Sequence, residues 1–394
     1  MHILDSYALN CGVKVGKPYI YNQYYPLGED KYITIQPFSR YLGKQYIYWN
    51  EVIGYMHDHL KEKGIKMVQI GVKDDSPLLK CIWTQGTTSI NQAAYLVKNP
   101  LLHVGVDSFA MHIASGYGKK SLSLHSTNWA KNTRPYWTSE EKGLTLEPDR
   151  GDKKPSFQIQ DPGSQTINEI KPETVAQKTL ELLGVRKKVP YETVFIGENY
   201  VSTNFHLVPT STLSAGGSID FLVMRMDLEF NEDILHDQLQ TANVSIITNK
   251  PIDTRIIKSF GEKIKDIIYF IDEDHDVEFV KFLHGSGANY ILVTKLEEEK
   301  FNKIKFDYLD YNFVFQKKSH HEQRNKILGA GSLNDLRYKC NKKILKDGKC
   351  YSSVANLNEN IEDENLGDNP FHKIQDTPSF WEDLEDFYVV KKLD

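Results

Sequence analysis

Hydrophobic and polar positions along the first half of the chain switch repeatedly between two periods. Tyr32-Ile33-Thr34-Ile35-Gln36 and Lys66-Met67-Val68-Gln69-Ile70-Gly71 are short β-prone runs. Between them, Trp49 to Gly64 carries Val52, Ile53, Tyr55, Met56 and Leu60 near helical spacing, with Gly64 as a natural C-cap. The same switching predicts a helix over 88–97, a strand over 101–106, a helix over 108–116 and a strand over 120–125. Strand–helix–strand alternation with such connections implies parallel pairing and a doubly wound α/β sheet. From 127 to 165 the composition turns to Pro, Gly, Lys and polar residues, which reads as loop, and 171–184 reads as one more helix with Pro172 at its first position.

A second alternating set follows a break near 186–191. Strands are expected at 193–196, 219–226, 244–248, 267–271 and 290–293, and helices at 233–242, 254–263 and 276–284. The last part differs again. Lys343 to Tyr351 reads as a hairpin turning on Asp347-Gly348, and the stretch from Glu359 to Asp386 holds ten acids and one Lys, with aromatics among them. The expected architecture is α/β: residues 1–186 as one Rossmann-like domain, 187–315 as a second, and 316–394 as a C-terminal extension that docks on the body or binds a protein partner.

Composition narrows the class. A chain of 394 residues with 40 % hydrophobic and 26 % charged residues has room for two domains and large cores. Four cysteines without metal-ligand spacing argue against a disulfide scaffold and for reduced thiols, and Cys340 and Cys350 flank the predicted hairpin. The absence of an 18-residue apolar run or of a basic-then-apolar start leads to the expectation of a cytoplasmic protein with no membrane span. The net charge is −5, and the ten acids near the C-terminus exceed it, so the body is near neutral or slightly basic.

The most informative segment is Gly105-Val106-Asp107-Ser108-Phe109-Ala110-Met111-His112-Ile113-Ala114. A strand ends at Val106 and a helix begins after Asp107 or Ser108, either of which can cap it. Free backbone N–H groups and the positive end of the helix dipole there suit a diphosphate. His112 follows Ser108 by four residues and shares its face. Upstream, the strand Ile33-Thr34-Ile35 leads into Gln36-Pro37-Phe38-Ser39-Arg40-Tyr41-Leu42-Gly43-Lys44, a loop at a strand's carboxyl end, where open α/β sheets bind ligands. Ser39 can donate to a phosphate, and Arg40 and Lys44 can neutralise it.

In this order, with Gly86-Thr87-Thr88-Ser89-Ile90 leading the intervening helix, these motifs resemble the nucleotide-sugar-binding domain of the heptosyltransferase-type glycosyltransferases (family 9, GT-B fold) over residues 1–140. The family pattern is a Ser/Thr–Lys phosphate loop, a Gly-Lys-Thr-Ser-Leu-like helix start and an Asp-Ser-Gly-Pro-Met-His-Leu-Ala signature. The resemblance implies that Ser39, Arg40 and Lys44 hold the donor phosphates. Ser108, Phe109 and the N–H groups after them would hold the diphosphate, with His112 supporting the turn. Asp107 would orient the turn or touch the sugar, and Asp74 or Asp75 would bond a ribose. Phe109 stands where the family has Gly, Ala110 replaces Pro, and Thr87 sits where Lys is common. The family places its acceptor domain first; here the donor domain opens the chain, which points to a circularly permuted GT-B arrangement. One of Asp227, Glu229 and Asp233, after the strand at 219–226, would then accept a proton from the acceptor hydroxyl, with Asp227 favoured.

The implied reaction is transfer of a sugar from a nucleoside-diphosphate sugar to a hydroxyl acceptor, without metal or cofactor. A glycan is the expected acceptor, with a lipid-linked sugar or a modified base as the other hydroxyl acceptors considered. Lys303, Lys305, Lys317, Lys318, His320, His321 and Arg324 make nucleic acid the rival acceptor. A non-catalytic nucleotide-binding or structural protein is the alternative, favoured by Phe109 and the acidic aromatic tail.

Overall fold

The computed structural model describes residues 1–151, 154–155, 166–196, 203–213, 222–312, 314–317, 324–325, 327, 333, 336–364, 371–384 and 387–393. The chain divides into two compact units, Met1–Thr193 together with Leu393, and Val194–Lys392.

In the first unit the elements run α1 (Ile3–Cys11), β1 (Tyr32–Gln36), α2 (Trp49–Glu62), β2 (Lys66–Gln69), β3 (Ile82–Trp83), α3 (Ile90–Lys98), β4 (Leu102–Val106), α4 (Phe109–Gly116), β5 (Ser121–Leu124), α5 (Ala130–Thr133), β6 (Gly143–Leu146) and α6 (Pro172–Leu182). The six strands form one sheet in the order β3-β2-β1-β4-β5-β6, every adjacent pair parallel. The central strands β1, β4 and β5 are buried at every residue, as a parallel sheet covered on both faces requires. The apolar stripe of α2 is buried through Trp49, Val52, Ile53, Met56 and Leu60, and its end turns at Gly64 with φ +66°. A capping box opens α3, where Ser89 and Gln92 satisfy each other's backbone N–H groups. The later helix α6 lies along α2, and Tyr46 donates from its hydroxyl to the Ile170 carbonyl at 2.7 Å. The region 127–165 is not all loop: it holds α5 and the sixth strand, β6, whose residues are all half-buried, unlike those of the inner strands.

β7 (Tyr191–Ile196) crosses the boundary between the units. The second unit continues with β8 (Asn204–Leu207), β9 (Leu222–Arg225), α7 (Glu232–Thr241), β10 (Val244–Thr248), α8 (Thr254–Phe260), β11 (Ile264–Phe270), α9 (Val277–Ser286), β12 (Tyr290–Thr294), α10 (Glu298–Asp307) and β13 (Val314–Gln316). It closes with β14 (Leu336–Cys340), β15 (Lys342–Lys346), β16 (Lys349–Tyr351), α11 (Val354–Asn358), β17 (His372–Lys373), α12 (Pro378–Asp383) and β18 (Phe387–Lys392). An eight-stranded sheet has the order β13-β12-β11-β10-β9-β8-β15-β16, parallel except for the β15–β16 hairpin. That hairpin turns at Asp347 and Gly348, both with positive φ (51° and 77°), as a two-residue type I′ turn demands.

Two placements differ from the sequence reading. The strand expected at 193–196 belongs to a separate four-stranded sheet, β17-β14-β18-β7, and the hairpin at 343–351 extends the eight-stranded sheet beside β8. Of the strand expected at 219–226, residues 222–225 form β9 and 219–221 lie outside the described residues. The aromatic C-terminal segment docks within its own unit: Tyr338, Phe380, Trp381 and Phe387 form one buried cluster, with the Tyr338 and Phe380 rings edge to face at 4.8 Å. Its acids find cations, Asp363 with Lys343 at 2.7 Å and Asp376 with Arg324 at 2.5 Å. Cys340 and Cys350 are buried free thiols, their pKa values pushed up by burial to about 12 and about 11. Among the described residues, no helix is long and apolar enough to cross a membrane.

Candidate functional site

The first unit gathers polar side chains at the carboxyl ends of β1, β4 and β5. Gln36 ends β1, Asp107 follows β4, and His125 follows β5. Asp107 is held in place by its own N–H, which donates to the Leu124 carbonyl at 2.9 Å. Its buried carboxylate receives Lys44 Nζ at 2.9 Å, and the same ammonium donates to the Asp107 carbonyl at 3.0 Å. Lys44 reaches this point from a short 3-10 turn, Leu42–Lys44, in the loop after β1. Trp49 fixes that loop by donating from its ring to the Pro37 carbonyl at 2.9 Å, and Ser126 donates from its hydroxyl to the Gly43 carbonyl.

Two imidazoles flank the carboxylate: His112 Nε2 lies 3.8 Å from Oδ1 and His125 Nδ1 lies 3.9 Å from Oδ2. Burial lowers the pKa of both, against the pull of Asp107, and takes His125 down to about 4. His125 is also bonded to Ser123 Oγ at 2.9 Å and Thr133 Oγ1 at 3.3 Å. His125 is therefore neutral near pH 7.

Ser108 occupies the N-cap position of α4 with extended backbone, as read from the sequence, but neither its side chain nor that of Asp107 caps the helix. Gln36 does that work from β1. Its amide donates to Ser108 Oγ at 3.1 Å, and its carbonyl oxygen accepts the Ala110 N–H at 3.3 Å. The constraint that brings Gln36 so close is visible at Gly105, where a Cβ would stand 2.8 Å from the Gln36 backbone carbonyl oxygen. Phe109, the first residue of α4, is 37 % exposed. Ser39 is half-buried, its carbonyl accepting from Gln45 Nε2 at 3.3 Å, and Arg40 is exposed. Asp75 follows β2; its Oδ2 accepts the Val72 N–H at 2.9 Å, and burial raises its pKa. The structure thus brings Lys44, Asp107, Ser108 and His112 together, and adds Gln36 and His125. The latter two carried no sequence signal beyond a polar residue at or just after the end of a buried strand.

In the second unit, Asp227 follows β9 and both its oxygens are taken by Arg225, at 2.8 and 2.9 Å. The buried Arg225 also donates to Asp383 Oδ1 at 3.0 Å, and Asp383 accepts Lys342 Nζ at 3.2 Å. Asp233 stands apart, exposed in the first turn of α7, whose cap is Asn231. Glu229 pairs with Lys346 at 3.3 Å. A cleft of about 580 Å³ opens at the carboxyl ends of β9 to β13 and is lined by residues that include Arg225, Asp227, Asp272, Lys295 and Lys317. Asp272 lines this cleft, and α9 is capped by Asp276. Among the described basic residues near 303–324, Lys303 borders a separate recess with Tyr308, and Arg324 is paired with Asp376. Residues 318–321 lie outside the described residues.

Comparison with known proteins bears out the resemblance in the first unit. Residues 14–162 match the family model for glycosyltransferase family 9 (heptosyltransferase). Similar solved structures include the ADP-heptose lipopolysaccharide heptosyltransferase II of E. coli, at 16 % identity and TM-score 0.32 over 45 % of this chain and 50 % of that one. A family 9 glycosyl transferase from Veillonella parvula DSM 2008 matches at 17 % identity and TM-score 0.32, with the same coverage of both chains. An E. coli heptosyltransferase with ADP matches at 12 % identity and TM-score 0.31, over 45 % of this chain and 54 % of that one. The chain thus spans about half the length of these structures. No curated protein matches it.

Proposed function

We propose that the chain is a glycosyltransferase that moves a sugar from a nucleoside-diphosphate sugar to a hydroxyl acceptor, with a glycan as acceptor. The observation that carries this reading is the Lys44–Asp107 pair at the mouth of the α4 N-terminus, inside the segment that matches family 9. As the bond from the anomeric carbon to the diphosphate oxygen breaks, its electron pair leaves with the diphosphate. Charge grows on oxygens that Lys44 and the first N–H groups of α4 stabilise, electrostatic help that usually outweighs other contributions. In this reading that positive charge serves in place of a metal ion. Asp107 holds the Lys44 ammonium, Gln36 fixes Ser108, Ser39 and Arg40 extend the phosphate contacts, and Asp75 meets the ribose. The acceptor oxygen forms the new bond to the anomeric carbon, and its proton passes to a carboxylate, for which Asp227 is our assignment.

Thermal shift and isothermal titration against UDP-, GDP-, ADP- and CMP-sugars test the donor site. One of the four should raise the melting temperature of the native chain and fail to raise that of Lys44→Ala; no response to any of them overturns the assignment. Asp227→Asn should keep donor binding and lose transfer. Phe109, a bulky residue where the family has Gly, favours a second reading in which the nucleotide is bound and not turned over. Donor hydrolysis by the native chain, abolished in Lys44→Ala, decides for the enzyme.

A further inference from the structure

Residues 12–31, between α1 and β1, form neither helix nor strand, yet they are firmly seated on the first unit. Trp137 donates from its ring to the Gly16 carbonyl at 2.8 Å, the Tyr117 hydroxyl donates to the Ile20 carbonyl at 3.0 Å, and the Gln23 N–H donates to the Asn91 carbonyl at 3.0 Å. Ile20 packs on the C-terminal end of α4, where Gly116 leaves it room: a Cβ there would stand 2.5 Å from Ile20 Cδ1. Tyr25 and Leu27 pack against the core that β2, α3 and α4 share. Connections of this length without helix or strand are uncommon, and those held in place usually carry function.

Seated residues in this strap alternate with displayed ones. Pro18, Ile20 and Asn22 are half-buried, whereas Tyr19 and Tyr21 are 91 % and 60 % exposed. Tyr24 is exposed as well, its ring edge to face with that of Tyr95 at 5.3 Å. Rings held out on a fixed backbone lose little freedom when a ligand stacks on them. Tyr19, Tyr21 and Tyr117 border a recess of about 420 Å³ together with Lys17 and Lys98, and the Lys98 ammonium lies 5.8 Å from the centroid of the Tyr117 ring.

The surroundings select the chemistry of the ligand. Lys98 closes α3 and Tyr117 caps the end of α4, so two helix C-termini meet at the recess. Their partial negative charge offsets the ammonium groups and disfavours a phosphate, and their last carbonyls are hydrogen-bond acceptors. The recess thus combines aromatic faces with donors and acceptors. A sugar ring matches this set, with an apolar C–H face for the rings and hydroxyls that both donate and accept.

We propose that the strap and its recess bind a neutral saccharide chain, the sugar rings stacked on Tyr19 and Tyr21 and their hydroxyls bonded by Lys17 and Lys98. α4 spans eight residues, about 12 Å, and the recess lies at the opposite end of it from Ser108. The site is therefore separate from the donor pocket, lies wholly within the first unit and does not depend on the donor reading.

Isothermal titration of the full chain with maltohexaose, cellohexaose and chitohexaose tests it. At least one of the three should bind saturably. Tyr19→Ala and Tyr21→Ala, both at exposed positions, should each weaken that binding about twofold to tenfold, as loss of a stacked ring does. Tyr19→Phe keeps the ring and should bind like the native chain. Lys98→Ala should weaken binding about twofold to tenfold through the lost donor. Lys44→Ala should leave it unchanged, which separates this site from the donor site. No binding of any of the three overturns the proposal, as does binding that survives the double substitution Tyr19→Ala and Tyr21→Ala or is lost in Lys44→Ala. Salt-sensitive binding of oligothymidylate or heparin, tighter than that of the neutral sugars, overturns the saccharide assignment.

Discussion

At the carboxyl edge of the first sheet one carboxylate, Asp107, meets one ammonium at 2.9 Å and two imidazoles at 3.8 and 3.9 Å. At the corresponding edge of the second sheet one guanidinium, Arg225, meets two carboxylates at 2.8 and 3.0 Å. The first arrangement leaves its cation 18 % exposed, so Lys44 can trade part of its bonding for a ligand oxygen. The second buries its cation between partners on two elements, β9 and α12, so Arg225 ties chain segments together. Charge of the same kind at the same place in a parallel sheet stays partly open to solvent in one unit and ties chain segments together in the other. Burial and the number of partners decide which.

The largest test of this contrast is Asp383→Ala. Removing one partner of a buried pair leaves Arg225 and Lys342 under-compensated, and a loss of about 3–5 kcal/mol in chemical denaturation is expected. Nucleotide-sugar binding by the first unit should persist wherever the variant stays folded. Lys44→Ala should do the reverse: at least about tenfold weaker donor binding by titration, as expected for loss of a charged hydrogen bond. Its stability cost should be about 1–3 kcal/mol, because the buried Asp107 carboxylate is left without its ammonium.

The third test uses pH. His125 and His103 are buried in the first unit, and burial takes their pKa values down to about 4 and about 3. The unfolded chain protonates these rings below about pH 6.5, and the fold does not. Their contribution is therefore intact above pH 6.5 and is lost as the pH falls toward 4 for His125 and toward 3 for His103. The loss runs at up to about 1.4 kcal/mol per pH unit for each ring. His125→Gln should flatten the stability profile between pH 6.5 and 4. An unchanged slope would show that the ring is not buried as described. The smallest effect is expected at Asn231, where loss of the α7 cap in Asn231→Ala should cost about 1 kcal/mol, read by thermal melting, without touching ligand binding.

The sequence showed most clearly those elements whose burial is uniform. β1 and β4 are β-prone runs buried along their whole length, and α2 carries a clean stripe, so their positions and parallel pairing followed from pattern alone. β6 was missed because its short Gly-Leu-Thr-Leu run lies inside a stretch rich in Pro, Gly, Lys and polar residues, and β7 was assigned to the wrong sheet because its partners lie near the far end of the chain. The site divides in the same way. Lys44, Asp107, Ser108 and His112 were legible because a strand, a turn and a helix set them in local order. Gln36 and His125 were not, because their roles come from parallel register, Gln36↔Gly105 and Val106↔Leu124, which places distant residues side by side.

One feature of the second sheet governs the order in which the chain acquires structure. β8 pairs with β9 on one side and with β15 on the other, Lys342 standing opposite Asn204. During synthesis the first unit has nearly all of its residues once Thr193 has emerged and can fold at once. The second must hold β8 with an open edge until the hairpin arrives, and late, non-local pairing of this kind slows folding and leaves a strand edge exposed to other chains. Conditions that slow completion of the chain should therefore aggregate the second half while the first is already native.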